Sequence, residues 1–352
     1  MCKRKIEFSN YDKFICIGDK CEYTCCAGWD INIDKKTLEK WKKEKPELLK
    51  YTKKNKSDYL IDKETEEACN FLDCKGLCSL IKEQGYDYIS ETCKTFPRVI
   101  NSFYDTIEYS LSLSCPEVIR LIENNGFFIN DNRKIIESRE IILEILDLKD
   151  ISINEKLLIA FYLLNIMGEE DIKDIYKNKD FLYEILDNLR KIETDREEGI
   201  YELNNLFLDT VTNYKDIDIF KGLFKDIVDF SENEDLEDYL GVFNKFKKEI
   251  KENEEFLLDI IKSKVISNVV SEDITENIIS LQNIILESLL TNYSLFLKFS
   301  LKEKINNEAI RDYTLAFSRI ITSNKEAFLE FIFESFEREI IDISYLAFIG
   351  LI

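Results

Sequence analysis

The sequence predicts a mainly α protein in two parts. A small cysteine-rich α+β N-terminal module, residues 1–125, carries the ligands for a metal or cluster, and an acidic all-α helical domain, residues 126–352, follows it. Three observations predict this division. All ten cysteines and all three prolines lie at or before Pro116, and residues 117–352 contain neither. Charge divides at the same place, with 21 basic and 22 acidic residues up to residue 125 but 27 basic and 47 acidic residues beyond it. Apolar residues from about Arg133 onward recur at helical spacing, whereas short alternating runs and turn residues dominate before it. A chain of 352 residues has ample core for one large or two ordinary domains.

In chain order, residues 29–33 (Trp-Asp-Ile-Asn-Ile) alternate apolar and polar, a short strand signal. Asp34 is a helix cap, and a helix is expected over 35–50 with Leu38, Trp41, Leu48 and Leu49 among its apolar positions. Residues 53–67 are polar and read as a loop or weak hairpin. Residues 69–78 (CNFLDCKGLC) read as a compact loop with Gly76 available for a turn. A short helix over 79–84 stops at Gly85, and another over 88–92 leads to Cys93. Residues 98–103 and 106–113 form a hairpin around Tyr104 and Asp105. Cys115-Pro116-Glu117 opens the next helix, with proline in the first turn and glutamate near the positive end of the dipole. Asn124-Asn125-Gly126 supplies its stop and marks the domain boundary.

The remainder reads as eight to ten helices. Leu182, Ile185, Leu186, Leu189 and Ile192 share one face, and Leu281, Ile284, Ile285, Leu289, Tyr293 and Phe296 repeat that spacing over four turns. Leu157, Leu158, Phe161, Tyr162 and Asn165 do so more briefly. Polar breaks near residues 231–235 and 271–273 separate helices. These apolar stripes are most simply core.

The chemistry is concentrated in the cysteines. Residues 16–34 (CIGDKCEYTCCAGWDINID) hold four of them as C-x4-C-x3-C-C. Adjacent cysteines are rare in an ordinary core and offer two thiolates converging on one small volume, as a metal ion or iron–sulfur cluster needs. The others are Cys69, Cys74 and Cys78, the outliers Cys93 and Cys115, and Cys2, which has no spaced partner. There are enough thiolates for one four-ligand site with spares or for two. The plainer alternative is a set of structural buried thiols, since free cysteine is among the most buried residue types. Spacing does not separate zinc from a cluster: the C-x2-C knuckles usual for structural zinc are absent, and the wider gaps lean toward a cluster. The radical-type C-x3-C-x2-C spacing is also absent.

Several function classes are excluded or disfavoured. The chain has no histidine, which removes histidine-based acid–base catalysis, Ser-His-Asp triads and mixed Cys/His zinc sites. A net charge of −21 repels phosphate backbones, so no nucleic-acid partner is expected, while lysine-presenting partners would be attracted. Acidity can equally serve solubility alone. No G-x-G-x-x-G or P-loop occurs among the ten glycines. No apolar run approaches the roughly 18 residues of a membrane span, and the charged start lacks a signal peptide's apolar region. A cytoplasmic protein is expected, in which many cysteines point to metal or catalysis rather than disulfides. Oligomeric state is open.

The blocks CIGDKCEYTCCAGWDINID, CNFLDCKGLCSL, ISETCKTFPR and SLSLSCPEVIRL resemble the flagellin lysine-N-methylase family in order and interval. The first also looks like small cysteine-cluster proteins thought to chelate zinc or iron. The resemblance covers about residues 10–122; the acidic remainder matches in size and character. It implies metal ligands at Cys16, Cys21, Cys25, Cys26, Cys69, Cys78, Cys93 and Cys115, with Cys2 and Cys74 as additions in this chain. Phe96-Pro97-Arg98 and Cys115-Pro116-Glu117 match as well. The implied activity is transfer of methyl groups from S-adenosylmethionine to lysines of flagellin, in a protein that holds an iron–sulfur cluster, with zinc as the alternative.

That reaction carries a physical demand. A lysine with a pKa of about 10.4 is neutral only about once in a few thousand at pH 7, and only the neutral amine attacks. With no histidine, the proton must pass to a carboxylate, tyrosine or water. Tyr86, Tyr88, Tyr104 and Tyr109 lie near the cysteines in sequence, although tyrosines at this density are more often packing residues. Arg98 is a candidate partner for the donor's carboxylate, or an ordinary salt-bridge residue. No catalytic residue is identified. Two other readings compete: a non-catalytic zinc or iron–sulfur interaction module whose acidic helices dock a partner, and a metallochaperone.

Overall fold

A computed structural model describes residues 3–55, 58–63, 68–103, 105–129, 136–167, 175–192, 195–324, 328–331 and 342–352. Cys2 and Tyr104 lie outside these residues. In chain order the N-terminal part comprises β1 (Arg4–Glu7), β2 (Asn32–Ile33), α1 (Lys35–Glu44), β3 (Thr52–Asn55), β4 (Asp58–Ile61), α2 (Ser79–Gln84), α3 (Glu91–Thr95), β5 (Arg98–Ser102), β6 (Thr106–Leu111) and α4 (Pro116–Asn125). Among the described residues there follow α5 (Glu137–Leu146), α6 (Ile153–Met167), α7 (Lys179–Arg190), α8 (Arg196–Val211), α9 (Asp218–Asn233), α10 (Leu240–Glu249), α11 (Glu254–Asn268), α12 (Ile274–Ser300), α13 (Asn307–Phe317) and α14 (Ile343–Gly350), and residues 328–331 are also helical. The protein is mostly helical, with two small sheets confined to its first third.

The sheets are three-stranded. In one, β6 is central, antiparallel to β5 with Arg98 opposite Leu111 and parallel to β1 with Arg4 opposite Thr106. In the other, β4 is central, flanked by antiparallel β2 and β3. The expected hairpin and the weak hairpin are therefore both present. β1 carries no signal of its own: it is a four-residue strand made by pairing with a segment a hundred residues away.

Local chemistry sets the helix limits. Asp34 accepts from the Thr37 amide at 2.9 Å, starting α1. The expected run to residue 50 stops at Glu44, because a residue before proline avoids helical backbone and Lys45 precedes Pro46. Pro46–Tyr51 continues as 3-10 turns. The helix expected over 88–92 is displaced: Tyr86–Tyr88 form a 3-10 turn, and Ser90, accepting from the Cys93 amide, caps α3 instead. Pro116 sits in the first turn of α4, and Gly126, at φ 70°, ends it.

Two cores result. Ile31, Ile33, Leu38, Trp41, Leu48, Ile61, Cys69, Phe71, Leu80 and Ile89 form a small one, with Cys26, Cys78 and Cys93 packed on it. The main core joins both parts of the chain: Ile6, Phe8, Phe14, Leu113 and Cys115 share it with the helices from α4 to α14. The stripes at Leu182, Ile185, Leu186 and Leu189 and from Leu281 to Phe296 are buried in it, as their spacing predicts. Two buried ion pairs also lie inside, Glu108 with Arg139 at 2.7 Å and Glu287 with Lys264. The first spans residue 125, so packing and charge are continuous across the expected boundary.

Candidate metal centre

The loop holding Cys21, Cys25 and Cys26 is fixed by a few specific bonds. Trp29 folds back so that its indole N–H donates to the Cys25 carbonyl at 2.8 Å, and its ring lies 5.1 Å from that of Phe96, before a cis Pro97. The Cys26 amide donates to Thr24 Oγ1 at 3.2 Å, and the Cys26 carbonyl accepts from the Cys69 amide at 2.7 Å. Gly28 adopts φ 80°, and a Cβ there would stand 3.0 Å from the Phe220 ring on α9. Only glycine lets the loop approach the helical body so closely.

The second cysteine segment is a tight turn. Asp73 Oδ1 accepts from the amides of Lys75 and Leu77, both at 2.9 Å, while its other oxygen pairs with Lys82. The bond to Lys82 and then the Leu77 amide hold the Asp73 carboxyl down at about 2. Gly76, at φ 73°, turns the chain, and an isolated bridge joins Leu72 to Cys78. Cys93 enters from α3, while Cys115 is the N-terminal cap residue of α4.

These elements bring the expected thiols into one neighbourhood. The Cys69 thiol interacts electrostatically with Cys93, Cys78 and Cys25, and Cys93 with Cys25 and Cys78. Cys115 interacts with Cys21 and Cys25, and Cys21 with Cys25 and Cys16. Cys25 belongs to both groups, and Cys26 faces it directly. Cys69 and Cys115 are buried, Cys21, Cys25, Cys26, Cys78 and Cys93 half-buried, and Cys16 exposed; all are free thiols, as is the exposed Cys74. Among the described residues, no three such side chains converge tightly enough to hold a single metal ion.

Burial pushes the Cys69 and Cys115 thiols up to about 12 and the Cys93 thiol up to about 11. The facing Cys26 thiol, then burial, raises Cys25, and burial raises Cys21. These raised thiols must release their protons to become ligands. The donor set suits a soft metal or cluster: it is all sulfur, with no competing imidazole.

One residue in contact with these loops lies outside the cysteine-rich sequence. Arg319, fully buried in the π-helical turn Ser318–Thr322 after α13, donates Nη2 to the Tyr23 carbonyl at 2.7 Å, Nη1 to those of Thr24 and Ala27 at 3.1 and 3.4 Å, and Nε to Ser114 at 3.0 Å. No cysteine follows Cys115, so nothing in the pattern of the helical half singles out this arginine.

The other residues considered from sequence lie elsewhere. Arg98 stacks on Phe14 at 5.1 Å and Tyr11 at 5.7 Å and donates to the Phe14 carbonyl at 3.3 Å. Tyr86 is exposed and donates to the Lys94 carbonyl, Tyr88 donates to the Glu44 carboxylate, and the Tyr109 ring packs on Tyr11. A cavity of about 890 Å³ opens within the helical body, with Phe246 and Tyr293 in its wall and Arg190, Lys247 and Lys251 around it. Asn292 lines it with a buried Oδ1 that meets no donor among the described residues. No helix among the described residues is long and apolar enough to cross a membrane.

Comparison with known proteins supplies relatives for part of the chain. It is 34% identical over 123 residues to the lysine-N-methylase of Salmonella typhimurium, covering 32% of this chain and 31% of that protein. It is 34% identical over 122 residues to the flagellar biosynthetic protein FliU of Salmonella muenchen, covering 32% of this chain and 72% of that protein. The lysine-N-methylase of Salmonella choleraesuis matches at 34% over 122 residues, 30% of its length. The match therefore spans under a third of either methylase. No family model matches the chain, and no solved structure does.

Proposed function

Because the chain belongs to the lysine-N-methylase family that includes FliU, we propose that it is a protein-lysine N-methyltransferase acting on flagellin with S-adenosylmethionine as donor. In this reading the thiols of Cys16, Cys21, Cys25, Cys26, Cys69, Cys78, Cys93 and Cys115 hold an iron–sulfur cluster, or zinc. The family relationship carries the activity. The gathering of these thiols from four separate segments supports the cysteine region as a metal centre.

The donor, when bound, supplies an electrophilic methyl group on a sulfonium. Its place in this reading is the helical-body cavity, whose volume of about 890 Å³ falls in the range of small-molecule sites. Apolar walls there would shelter a nucleoside, the Asn292 oxygen would accept from an amino group, and Lys247 or Lys251 would face a carboxylate. For the acceptor, 27 basic against 47 acidic residues beyond residue 125 steer a lysine-bearing surface toward the body. The amine must shed a proton before it attacks, and carboxylates, tyrosines or water are the acceptors this chain offers.

Anaerobically prepared protein incubated with flagellin and S-adenosylmethionine should yield flagellin carrying added methyl groups on lysine, read by peptide mass spectrometry. Protein that neither binds the donor nor modifies flagellin would reject the enzyme reading and leave the metal-binding module. Absorption spectra with iron and zinc analysis separate the two metals: a colourless, oxygen-free preparation with stoichiometric zinc rules out the cluster.

A further inference from the structure

We propose that Arg319 is the built-in counter-charge and clamp of the thiol site, supplied by the helical body to loops some three hundred residues earlier. The proposal rests on the reading of the cysteines as a metal centre. Arg319 is fully buried, and among the described residues its partners are backbone carbonyls rather than a carboxylate. Its fork is aimed at backbone carbonyls of Tyr23, Thr24, Ala27 and Ser114. A buried guanidinium with only neutral acceptors is an unfavourable arrangement unless an anion completes it.

The neighbours that can become that anion are thiols. Cys25, Cys115 and Cys21 lie nearest it, with the Tyr23 phenol beside them. Three of the four carbonyls flank them: Thr24 precedes Cys25, Ala27 follows Cys26, and Ser114 precedes Cys115. Four thiolates on one divalent metal or on a cubane carry surplus negative charge. A fixed cation at this point offsets that charge without competing for the sulfur, and its four bonds hold both cysteine segments in place before a metal arrives. This is the outer-shell support by which ligands are oriented and tuned.

The turn that carries Arg319 is itself anchored. Ser318 and Thr322, on either side of it, both donate to the buried Glu287, and Ser114 Oγ donates to the Ser318 carbonyl at 3.2 Å. A π-turn, with its extra residue, swings Arg319 out of the α13 register, and such turns are frequent at functional sites.

The test compares Arg319→Met and Arg319→Lys in the full chain. Arg319→Met removes charge and fork; Arg319→Lys keeps the charge but cannot span four carbonyls. Expected are a loss of zinc or iron affinity of about 10–100-fold in the methionine variant and a smaller loss in the lysine variant. In the metal-free chain Arg319→Lys, which keeps the cation that favours thiolate, should alkylate faster than the wild type at Cys25 and Cys115, while far-UV circular dichroism stays unchanged. Wild-type metal affinity in Arg319→Met would overturn the counter-charge, as would equal losses in the two variants. Unchanged alkylation would overturn the clamp. A wild-type chain that binds neither metal refutes the metal reading and the counter-charge together, whereas the alkylation arm still decides the clamp.

Discussion

The cysteine-bearing region and the helical body reach order by opposite means. In the body, α12 runs 27 residues, 17 of them buried, and its buried Glu287 meets Lys264, Ser318 and Thr322. In the cysteine region the satellite core has ten buried residues, and the loops between Cys16 and Cys115 hang on single bonds such as Trp29 to Cys25 and Cys69 to Cys26. A core that small rarely supplies enough stability alone, and cross-links make up the difference. The helical body draws on the main core, to which Ile6, Phe8, Phe14 and Leu113 also contribute, whereas the cysteine loops rest on the small core and on the contact from Arg319.

The largest effects should therefore come from Cys25 and Cys26, where the thiol groups meet. Cys25→Ser or Cys26→Ser should lower bound metal by about tenfold or more and expose the first 125 residues to protease, with helical content beyond them kept. Cys2→Ser should do neither. Metal analysis with limited proteolysis checks this, and equal metal in all three variants would refute the ligand assignment.

The body's packing can be attacked at Glu287, which is fully buried. Glu287→Ala strands the Lys264 ammonium and should cost about 3–5 kcal/mol in denaturant unfolding. Replacing both partners, Glu287→Leu with Lys264→Met, should recover most of that loss, because an apolar pair removes two desolvated charges at once. If the double variant is as unstable as the single one, the network is held for its hydroxyl bonds to the Arg319 turn rather than for the ion pair.

A third break targets the seam itself. Gly28→Ala puts a side chain into a left-handed backbone and against Phe220, at a cost of about 1–3 kcal/mol. It should also raise protease sensitivity of the Cys21–Cys26 loop. A variant as stable as the wild type would show that the loop can retreat from α9 without penalty.

How much of this was legible in the sequence follows the same contrast. Helical periodicity identified the stripes of α7 and α12 because a helix buries a face fixed by neighbours three and four residues away. Pro116, Gly126, Ser90 and Asp34 act through local backbone chemistry, and the first two and Asp34 were readable, while Ser90 shifted α3 past its expected place. β1 was not readable, since its partner β6 lies a hundred residues on. The cysteines could be named as candidate ligands, but not sorted, because their grouping depends on how four distant segments fold together. Arg319 left no trace: one arginine in a helix has no pattern, and its role exists only once Tyr23, Thr24, Ala27 and Ser114 are brought to it.

The finest distinction between the regions lies at Asp34, where one carboxylate does work that packing does in the body. Its oxygens accept from the Thr37 amide and hydroxyl at the start of α1 and from the Glu91 amide at the start of α3, the last at 2.8 Å. Burial pushes its carboxyl up, but the bonds from Glu91 and Thr37 outweigh burial and hold it below its ordinary value. A depressed folded pKa means that the contribution is fully present above the unfolded value of about 3.9 and is lost as pH falls through the lower, folded one. Asp34→Ala should cost about 0.5–2 kcal/mol at pH 7. Asp34→Asn keeps a capping oxygen and should cost less, while removing that acid-sensitive part of the stability. Thermal unfolding of the three proteins between about pH 2 and 7 should show the wild type converging on the alanine variant at the acid end, with the asparagine variant running parallel to it. Parallel curves for all three would mean that the two helices are held by the Trp41–Phe71 core instead, and that the cysteine region is closer to the body in its construction than its loops suggest.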